Sequence, residues 1–332
     1  MDALGIDLSQ LPILANIAIV VATILIITKG AQWLVEAAAA IAVYFGVSEL
    51  VVGLTVVAFG TSAPEFAVTL TAAFRNQGDI SVGNIVGSNV FNLGFILGGC
   101  AAFRAIPTSL TLFKRDGPFL VISALLLFGL VGLDLHLDRL DGPILAGMLV
   151  AYLVLLFKQR RKSAQMQIEP EEEPSKLIRL PRLSRDAPML VGGLLLILGG
   201  SRVLVDSATA VARSFGISEW VIGVTIVAAG TSAPELATTL VGVMKRRFDI
   251  SAGNLIGSDI FNLLGVLGLA GILRPVEVDP VARYSILALA VMVAMVMVFM
   301  RTGWRISRLE GVLLVLIALA RWCFDALARM PR

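Results

Sequence analysis

The sequence predicts an all-α polytopic membrane protein with ten transmembrane helices that form two inverted five-helix repeats. The composition indicates a membrane protein, because 57% of the 332 residues are hydrophobic and only 15% are charged, whereas a soluble domain carries about 25% charged residues. Apolar stretches of about 20 residues, the length that spans a bilayer, recur along the chain. A polar motif inside these stretches also occurs twice, 170 residues apart.

Ten apolar spans are predicted, five on each side of a polar linker. They cover 11–44, 48–76, 79–103, 117–133 and 141–158, and then 187–214, 218–245, 249–273, 281–301 and 308–327. The linker at 159–186 separates a first repeat, 1–158, from a second repeat, 187–332. Because the first repeat has an odd number of spans, the second enters the membrane in the opposite direction, so the repeats are inverted.

The positions of the Lys and Arg residues predict the orientation of the chain. If the N-terminus lies outside, the cytoplasmic segments contain the basic run at 158–162 and most of the other loop cations. Positive charge accumulates on the cytoplasmic side of a membrane. We therefore predict that both termini lie outside and that the linker is cytoplasmic. The N-terminal segment lacks the basic region of a cleavable signal peptide, so the first span is expected to remain.

The repeated motif is Gly-Thr-Ser-Ala-Pro-Glu, at 60–65 and at 230–235, within the longer repeated segments 58–92 and 228–262. A proline inside a helix donates no N–H and clashes with the carbonyl group four residues earlier. Each helix is therefore expected to open before its proline. The carbonyl oxygens expected to be free are those of Ala58, Phe59 and Gly60 and those of Ala228, Ala229 and Gly230.

The polar side chains of the motif fall on one helix face just after the expected break, because they are three or four residues apart. They are Thr61, Ser62 and Glu65 in the first copy, and Thr231, Ser232 and Glu235 in the second. Charged side chains inside a membrane span are rare and usually functional. The two glutamates are therefore predicted to belong to a functional site.

The helix after each motif carries a polar stripe at every fourth residue. The stripe comprises Asn84, Ser88 and Asn92 in the first copy and Asn254, Ser258 and Asn262 in the second. Glycines beside the stripe predict close approach of a neighbouring helix; they are Gly83, Gly87, Gly253 and Gly257. Asn84 and Asn254 are expected mainly to hold helices together, and helix packing stays open as a role for Ser88 and Ser258. Asp79 and Asp249 are expected to cap the stripe helices.

Together the two copies offer only oxygen atoms, from carboxylates, hydroxyls, amides and carbonyl groups. Calcium prefers about 6–8 oxygen ligands, and sodium also accepts hydroxyl and carbonyl oxygens. Two carboxylates match the charge of one divalent cation, and leaving both buried without a cation costs several kcal/mol. The pattern predicts a transport site between the repeats, where sodium ions or protons must replace a departing calcium ion.

These motifs strongly resemble the calcium/cation antiporter superfamily and, within it, prokaryotic proteins of the sodium/calcium exchanger type. The resemblance rests on Gly-Thr-Ser-x-Pro-Glu followed by Gly-Asn-x-x-Gly-Ser-x-x-x-Asn, both present twice, and covers essentially the whole chain. It implies exchange of calcium for sodium by alternating access. By this resemblance the calcium ligands are Glu65, Glu235, Thr61, Thr231 and the carbonyl groups of Ala58 and Ala228; the sodium ligands are Ser62, Ser88, Ser232 and Ser258; and Asn92 and Asn262 lie at the centre.

The sequence departs from the family pattern at one acidic position. Some members carry Asp at the position of Asn262, whereas both copies have Asn here. The additional acid is Asp259, whose counterpart in the first copy is Asn89. The neutral Asn262 removes one ionisable group, on which the ion stoichiometry depends, and Asp259 either faces the site or lies behind it.

Three alternative functions compete with sodium/calcium exchange. A proton-coupled exchanger of calcium or another divalent cation would use the same site, although the faces rich in Thr and Ser favour sodium. A passive cation channel would be expected to form a symmetric oligomeric pore instead of inverted repeats. An enzyme such as an intramembrane protease is not expected, because no Ser/His or Asp/Asp dyad is present. The expected partners are the transported ions and the lipid bilayer, with no cofactor, no nucleic acid and a functional monomer; the short linker favours a prokaryotic inner membrane.

Overall fold

The computed structural model describes residues 11–166, 182–215 and 228–328, and most of these residues are helical. The first half contains α1 (Ile13–Phe45), α2a (Glu49–Thr61), α2b (Ala63–Phe74), α3 (Gly78–Phe103), α4 (Leu112–Gly132) and α5 (Asp141–Met166). The second half contains α6 (Leu183–Ser214), α7a (Ala228–Thr231), α7b (Ala233–Met244), α8 (Phe248–Leu273), α9 (Val281–Arg301) and α10 (Arg308–Ala328).

The helical membrane architecture predicted from the sequence is confirmed. Within the described residues, α1, α3, α4, α6, α8 and α9 are long and apolar enough to cross a membrane, and the bent pair α2a and α2b adds a seventh candidate. The helices fall at the predicted spans to within a few residues, although α5 continues to Met166 and α6 begins at Leu183. Part of the linker and the start of the span at 218–245 lie outside the described residues. The count of ten spans stays a prediction.

The first motif breaks its helix, but two residues later than predicted. A π-helical segment, Gly53–Val57, precedes the motif, and α2a and α2b meet at Ser62 with a bend of 48°. Pro64 lies in the first turn of α2b, where a missing N–H breaks no helical hydrogen bond. The expectation of a free carbonyl group at Ala58 is wrong, because the Ser62 N–H donates to it at 3.0 Å.

Two small antiparallel sheets connect the halves. Strand β1 (Ile106–Pro107) pairs with β4 (Arg305–Ile306), and β2 (His136–Leu137) pairs with β3 (Val276–Glu277). Residues 106 and 276 differ by 170, as do 136 and 306. β1 therefore corresponds to β3 and β2 to β4, so each sheet is the counterpart of the other under the offset of the motif. The α3–α4 loop therefore lies at the same end of the molecule as the α9–α10 loop, and the α4–α5 loop lies beside the α8–α9 loop.

The repeated stripe helices α3 and α8 form the centre of the molecule. In each of them, 78% of an apolar 18-residue stretch is buried inside the protein, compared with 22% of such a stretch in α1 and in α6. The peripheral helices α1 and α6 pack along each other, and their backbones meet so closely at Gly30 that a Cβ atom there would lie 2.8 Å from the Gly193 oxygen. The polar stripes are therefore in the best-shielded part of the fold.

The predicted close approach at the stripe glycines is confirmed in the second copy. A Cβ atom at Gly253 would lie 2.9 Å from the Leu50 oxygen, and one at Gly257 would lie 2.8 Å from Ala58. At Gly83 and Gly87 no described atom lies within 4 Å. The counterparts of Leu50 and Ala58 near these glycines would be residues 220 and 228, and the first of these lies outside the described residues.

Helix α3 offers a test of this packing at two adjacent glycines. A Cβ atom at Gly98 would lie 2.8 Å from the Leu314 Cβ and 2.9 Å from the Gly311 oxygen of α10, whereas no described atom lies within 4 Å of such an atom at Gly99. We expect Gly98→Ala to lower the thermal unfolding midpoint of the purified protein, because overpacking costs about 1–3 kcal/mol. The matched variant Gly99→Ala should leave the midpoint unchanged or raise it slightly. Equal midpoints for both variants would contradict the α3–α10 packing.

Candidate cation site

The two motif glutamates lie in equivalent places at the centre of the protein. Glu65 is in the first turn of α2b and Glu235 is in the first turn of α7b. Both side chains are completely buried, with a relative exposure of 0%. A helix N-terminus favours a negative charge, but burial of two carboxylates still carries a large desolvation cost. Other polar groups must therefore surround them.

The two copies of the motif bond to each other reciprocally. The Ser232 hydroxyl donates to Glu65 Oε1 at 3.2 Å, and the Ser62 hydroxyl donates to Glu235 Oε1 at 3.2 Å. Ser258 on α8 also lies 3.3 Å from Glu235 Oε1. Each carboxylate is thus held by the serine of the opposite copy, so the helix breaks of α2 and α7 face each other.

The second oxygen of each carboxylate is left without a donor. Among the described residues, neither Glu65 Oε2 nor Glu235 Oε2 has a hydrogen-bond partner, and both atoms are buried. Buried polar atoms are rarely left unsatisfied, and such atoms call for a ligand or an ion. A cation placed against these two oxygens would satisfy both and reduce the repulsion between the carboxylates.

A hydroxyl and a backbone carbonyl group of α2a extend the site towards α8. The Thr61 hydroxyl lies 3.3 Å from the Ala58 oxygen, 3.0 Å from Asn254 Oδ1 and 3.4 Å from Ser258 Oγ. The Ser258 hydroxyl lies 3.4 Å from the same Ala58 oxygen. The structure therefore brings the predicted ligands Ala58, Thr61 and Ser258 together next to Glu235.

Three other predicted ligands are Ser88 on α3 and Thr231 and Ala228 in α7a. Ser88 is buried on α3. Thr231 is half-buried and has a polar partner. Ala228 begins α7a.

The stripe amides Asn84 and Asn254 hold helices together, as expected from the sequence. Asn84 Nδ2 donates to Thr69 Oγ1 at 3.0 Å, and Asn254 Nδ2 donates to Thr239 Oγ1 at 3.3 Å. These bonds tie α3 to α2b and α8 to α7b. Neither Thr69 nor Thr239 is among the residues predicted from the sequence, although the 170-residue offset relates these two threonines and could have identified them.

A second polar cluster lies where α3 crosses α8. Asn92 Nδ2 donates to Asp259 Oδ1 at 3.0 Å, and Asn262 Nδ2 donates to Asn89 Oδ1 at 3.2 Å. Asn89 also donates to the Asp259 backbone oxygen at 3.1 Å. All four side chains have 0% exposure. The two side-chain bonds are equivalent under the 170-residue offset, with Asp259 occupying the place of Asn89.

Three oxygens of this cluster have no donor among the described residues: Asn92 Oδ1, Asn262 Oδ1 and Asp259 Oδ2. The α-helix also changes to a π-helix at this level, over Asn92–Leu97 and Phe261–Val266. Single π-helical turns interrupt helices frequently at functional sites. The cluster therefore adds unsatisfied oxygens and altered backbone geometry to the region between the repeats.

The predicted capping role of Asp79 is wrong. Gln77 is the N-cap of α3, and Asp79 lies inside its first turn. Its Oδ1 accepts the Asp279 N–H at 2.6 Å and so connects α3 to the second repeat. Asp249 likewise lies in the first turn of α8, whose N-cap is Arg247, so neither aspartate occupies the N-cap position.

The donor set of the site fits a hard cation. Within the described residues there is no group of three or more His, Cys, Asp and Glu side chains that could hold a metal ion. The candidate ligands are instead two carboxylates supplemented by neutral hydroxyl, amide and carbonyl oxygens. Oxygen-only donor sets suit calcium and other hard cations.

Similarity to known proteins identifies the family of this chain. The family model described as sodium/calcium exchanger protein matches residues 15–158 and 187–321. The sodium/calcium exchanger MaX1 of Methanosarcina acetivorans is 31% identical over 344 residues, covering 93% of this chain and 97% of that protein. The inner membrane protein YrbG of Escherichia coli is 37% identical over 300 residues, covering 89% of this chain and 90% of that protein.

A solved structure agrees over nearly the full length. The sodium-calcium exchanger NCX_Mj, soaked with 2.5 mM Na+ and 1 mM Sr2+, superimposes with a TM-score of 0.77 at 28% identity. The match covers 96% of this chain and 99% of that chain. The chain belongs to the family of sodium/calcium exchanger proteins, and it is an integral membrane cation exchanger and not an enzyme.

Proposed function

We propose that this protein exchanges calcium for sodium across the membrane by alternating access, with the ions bound midway between the repeats by Glu65 and Glu235. The observation that carries the proposal is the reciprocal arrangement of these two buried carboxylates. Each is held through Oε1 by a serine of the opposite copy, and each keeps a buried Oε2 without a described donor. The names of MaX1 and NCX_Mj support the choice of ions.

The charge of the site explains why transport is coupled exchange. Two ionised carboxylates in a buried site cost several kcal/mol unless cations neutralise them. Release of calcium therefore leaves a site that is unfavourable until other cations enter. Sodium ions bound to the surrounding hydroxyls meet this requirement, and only a neutralised site rearranges to face the other side of the membrane.

The proposed ligands divide according to their chemistry. Calcium is coordinated by both glutamates, by the hydroxyls of the motif threonines and by the carbonyl groups of Ala58 and Ala228, which together approach the 6–8 oxygens it prefers. The Ala58 oxygen accepts the Ser62 N–H with one lone pair and has a second lone pair for a cation. Sodium uses the serine hydroxyls around the glutamates. The proposed calcium ligands are Glu65, Glu235, Thr61, Thr231, Ala58 and Ala228, and the proposed sodium ligands are Ser62, Ser88, Ser232 and Ser258, with Asn92 and Asn262 at the centre.

The proposal includes ten spans in two inverted repeats, with the N-terminus outside and the linker in the cytoplasm. The strand pairings support it. β1 and β4 share one end of the molecule, and six spans separate them in the proposed topology; β2 and β3 share one end, and four spans separate them. Even numbers of crossings return the chain to the same face of a membrane, so both pairings agree with five spans per repeat. A monomer contains both half-sites.

Asp259 is proposed to contribute its charge to the sodium sites. It is buried, its Oδ1 accepts from Asn92, and its Oδ2 has no described donor. Since Asn92 and Asn262 are neutral, Asp259 is the acid closest in sequence to the centre of the polar stripe on α8. An additional negative charge at this point favours occupation by a further monovalent cation.

Removal of either glutamate charge should abolish calcium transport. Glu65→Gln and Glu235→Gln retain size and hydrogen-bonding capacity, but each removes half of the charge that balances calcium, and we expect calcium affinity to fall about 100-fold or more. Radioactive calcium uptake into proteoliposomes and calcium binding by calorimetry measure the effect. Glu277→Gln, at a side chain that is 86% exposed, is the matched control. Normal uptake by either site variant would refute the assignment.

The identity of the driving ion is tested by imposing one gradient at a time. Proteoliposomes loaded with sodium should take up calcium when diluted into sodium-free buffer, because outward sodium movement drives the exchange. A proton gradient without sodium should give only background uptake. Uptake driven by protons alone would identify a proton-coupled exchanger, and calcium flux that depends on neither gradient would identify a passive channel.

The variant Asp259→Asn separates charge from structure, because the chain already contains the neutral version of this hydrogen bond between Asn262 and Asn89. We expect the variant to fold and to bind calcium, but to need a sodium concentration several-fold higher for half-maximal exchange. Sodium titration of calcium uptake provides the measurement. An unchanged sodium dependence would assign Asp259 a purely structural role.

A further inference from the structure

A groove away from the candidate cation site lies where the start of α4 meets α5. Its volume is about 420 Å³. The described residues that line it are Leu110, Thr111, Lys114, Arg115, Pro118, Phe119, Ile122 and Leu155. One end of this lining is polar and basic, and the other is apolar, so the groove is itself amphipathic.

The basic end of the groove is held rigidly. Arg115 donates from Nε to Asp116 Oδ1 at 2.8 Å and from a terminal nitrogen to Oδ2 at 3.0 Å. Asp116 is completely buried, and the buried Tyr152 hydroxyl of α5 donates to its Oδ1 at 3.1 Å. A guanidinium group has five N–H donors, so the two bonds to Asp116 leave three donors for another anion. The cluster presents Arg115 in a fixed orientation.

Lys114 adds a second positive charge at the same end. Its side chain is exposed, and no described residue forms an ion pair with it. The α5 helix carries Lys158 one turn after Leu155, and the basic run in the sequence continues to Lys162. With one carboxylate, Asp116, against Arg115 and Lys114, the groove has an excess of positive charge.

The apolar end of the groove carries exposed aliphatic side chains. Ile122 is 49% exposed and Leu155 is 42% exposed. Phe119 forms part of the floor and packs its ring against Tyr152, with centroids 5.0 Å apart. In a membrane-spanning helix, exposed aliphatic side chains contact lipid chains, so this end suits an acyl chain.

The cluster is not part of the duplicated machinery. Residues 114–116 are Lys-Arg-Asp, whereas their counterparts 284–286 are Tyr-Ser-Ile. A role in binding the transported ions would require groups near the motif glutamates, and none of the groove residues contacts them among the described hydrogen bonds. The basic cluster therefore calls for its own explanation.

We propose that this groove binds one anionic phospholipid, with the phosphate on Arg115 and Lys114 and an acyl chain along Phe119, Ile122 and Leu155. Basic pockets between spanning helices at the cytoplasmic side of a membrane are suited to anionic headgroups, and charge-assisted bonds from a guanidinium to a phosphate are strong. A zwitterionic lipid would place its amine beside two cations. The anionic headgroup is favoured for that reason.

The test compares lipids that differ only in the headgroup. Delipidated protein in detergent is titrated with phosphatidylglycerol, with phosphatidylcholine of the same acyl chains, and with glycerol phosphate. Thermal unfolding midpoints and native mass spectrometry of retained lipid are the readouts. We expect phosphatidylglycerol to be retained and to raise the midpoint, with little effect from the other two. Equal effects of both lipids would overturn the proposal, and stabilisation by glycerol phosphate alone would indicate an anion site without lipid specificity.

Variants identify the groove as the place of binding. Lys114→Gln should weaken phosphatidylglycerol binding about fivefold, because one basic group near a lipid phosphate is lost. The double variant Arg115→Gln/Asp116→Asn removes both charges together, so no buried charge is orphaned, and it should weaken binding further. Arg139→Gln, at an exposed loop residue between α4 and α5, is the control. Unchanged lipid preference in both groove variants would overturn the proposal.

Discussion

Two buried carboxylates that meet across the halves of the molecule set the requirements for the rest of the structure. Glu65 and Glu235 are fully shielded from solvent, and the hydroxyls of Ser232 and Ser62 hold them. Neutral hydroxyls recover only part of the free energy lost when two charges leave water. The surroundings must therefore supply further oxygens and amides without opening the site to solvent, which explains why the best-buried helices, α3 and α8, carry the polar stripes.

Three of the five described π-helical segments lie in the helices that carry the motifs and stripes, α2a, α3 and α8, and the other two lie in α4. Lipid cannot hydrogen-bond to exposed backbone groups, so breaks in a spanning helix are tolerated only where protein or a polar cavity surrounds them. The π-helical turns beginning at Asn92 and Phe261 are part of the buried helices α3 and α8, and the bend at Ser62 lies beside a buried residue of the motif, Glu65. The backbone carbonyl group of Ala58 is paired even there, since its oxygen accepts the Ser62 N–H while facing Thr61 and Ser258.

Much of this arrangement could be predicted from the sequence, because the 170-residue offset relates whole elements and hydropathy marks their spans. The offset predicted that Glu65, Glu235 and the serines of the two motif copies belong to one site. It could not show that the Ala58 carbonyl accepts the Ser62 N–H, because the motif does not determine the residue at which the helix bends. Nor could it show that Asp79 bonds to the backbone of Asp279, or that β1 pairs with β4, since these contacts depend on tertiary packing between distant loops.

The one charged departure from the repeat at the helix crossing argues for a role beyond packing. The Asn262–Asn89 and Asn92–Asp259 pairs have nitrogen–oxygen distances of 3.2 and 3.0 Å, so an amide and a carboxylate accept the same hydrogen bond in equivalent places. An amide therefore satisfies the packing at this crossing, and the carboxylate adds only a buried charge, which is costly without a cation. A charge that the fold does not need, placed among oxygens without described donors, supports the proposal that Asp259 attracts a transported cation.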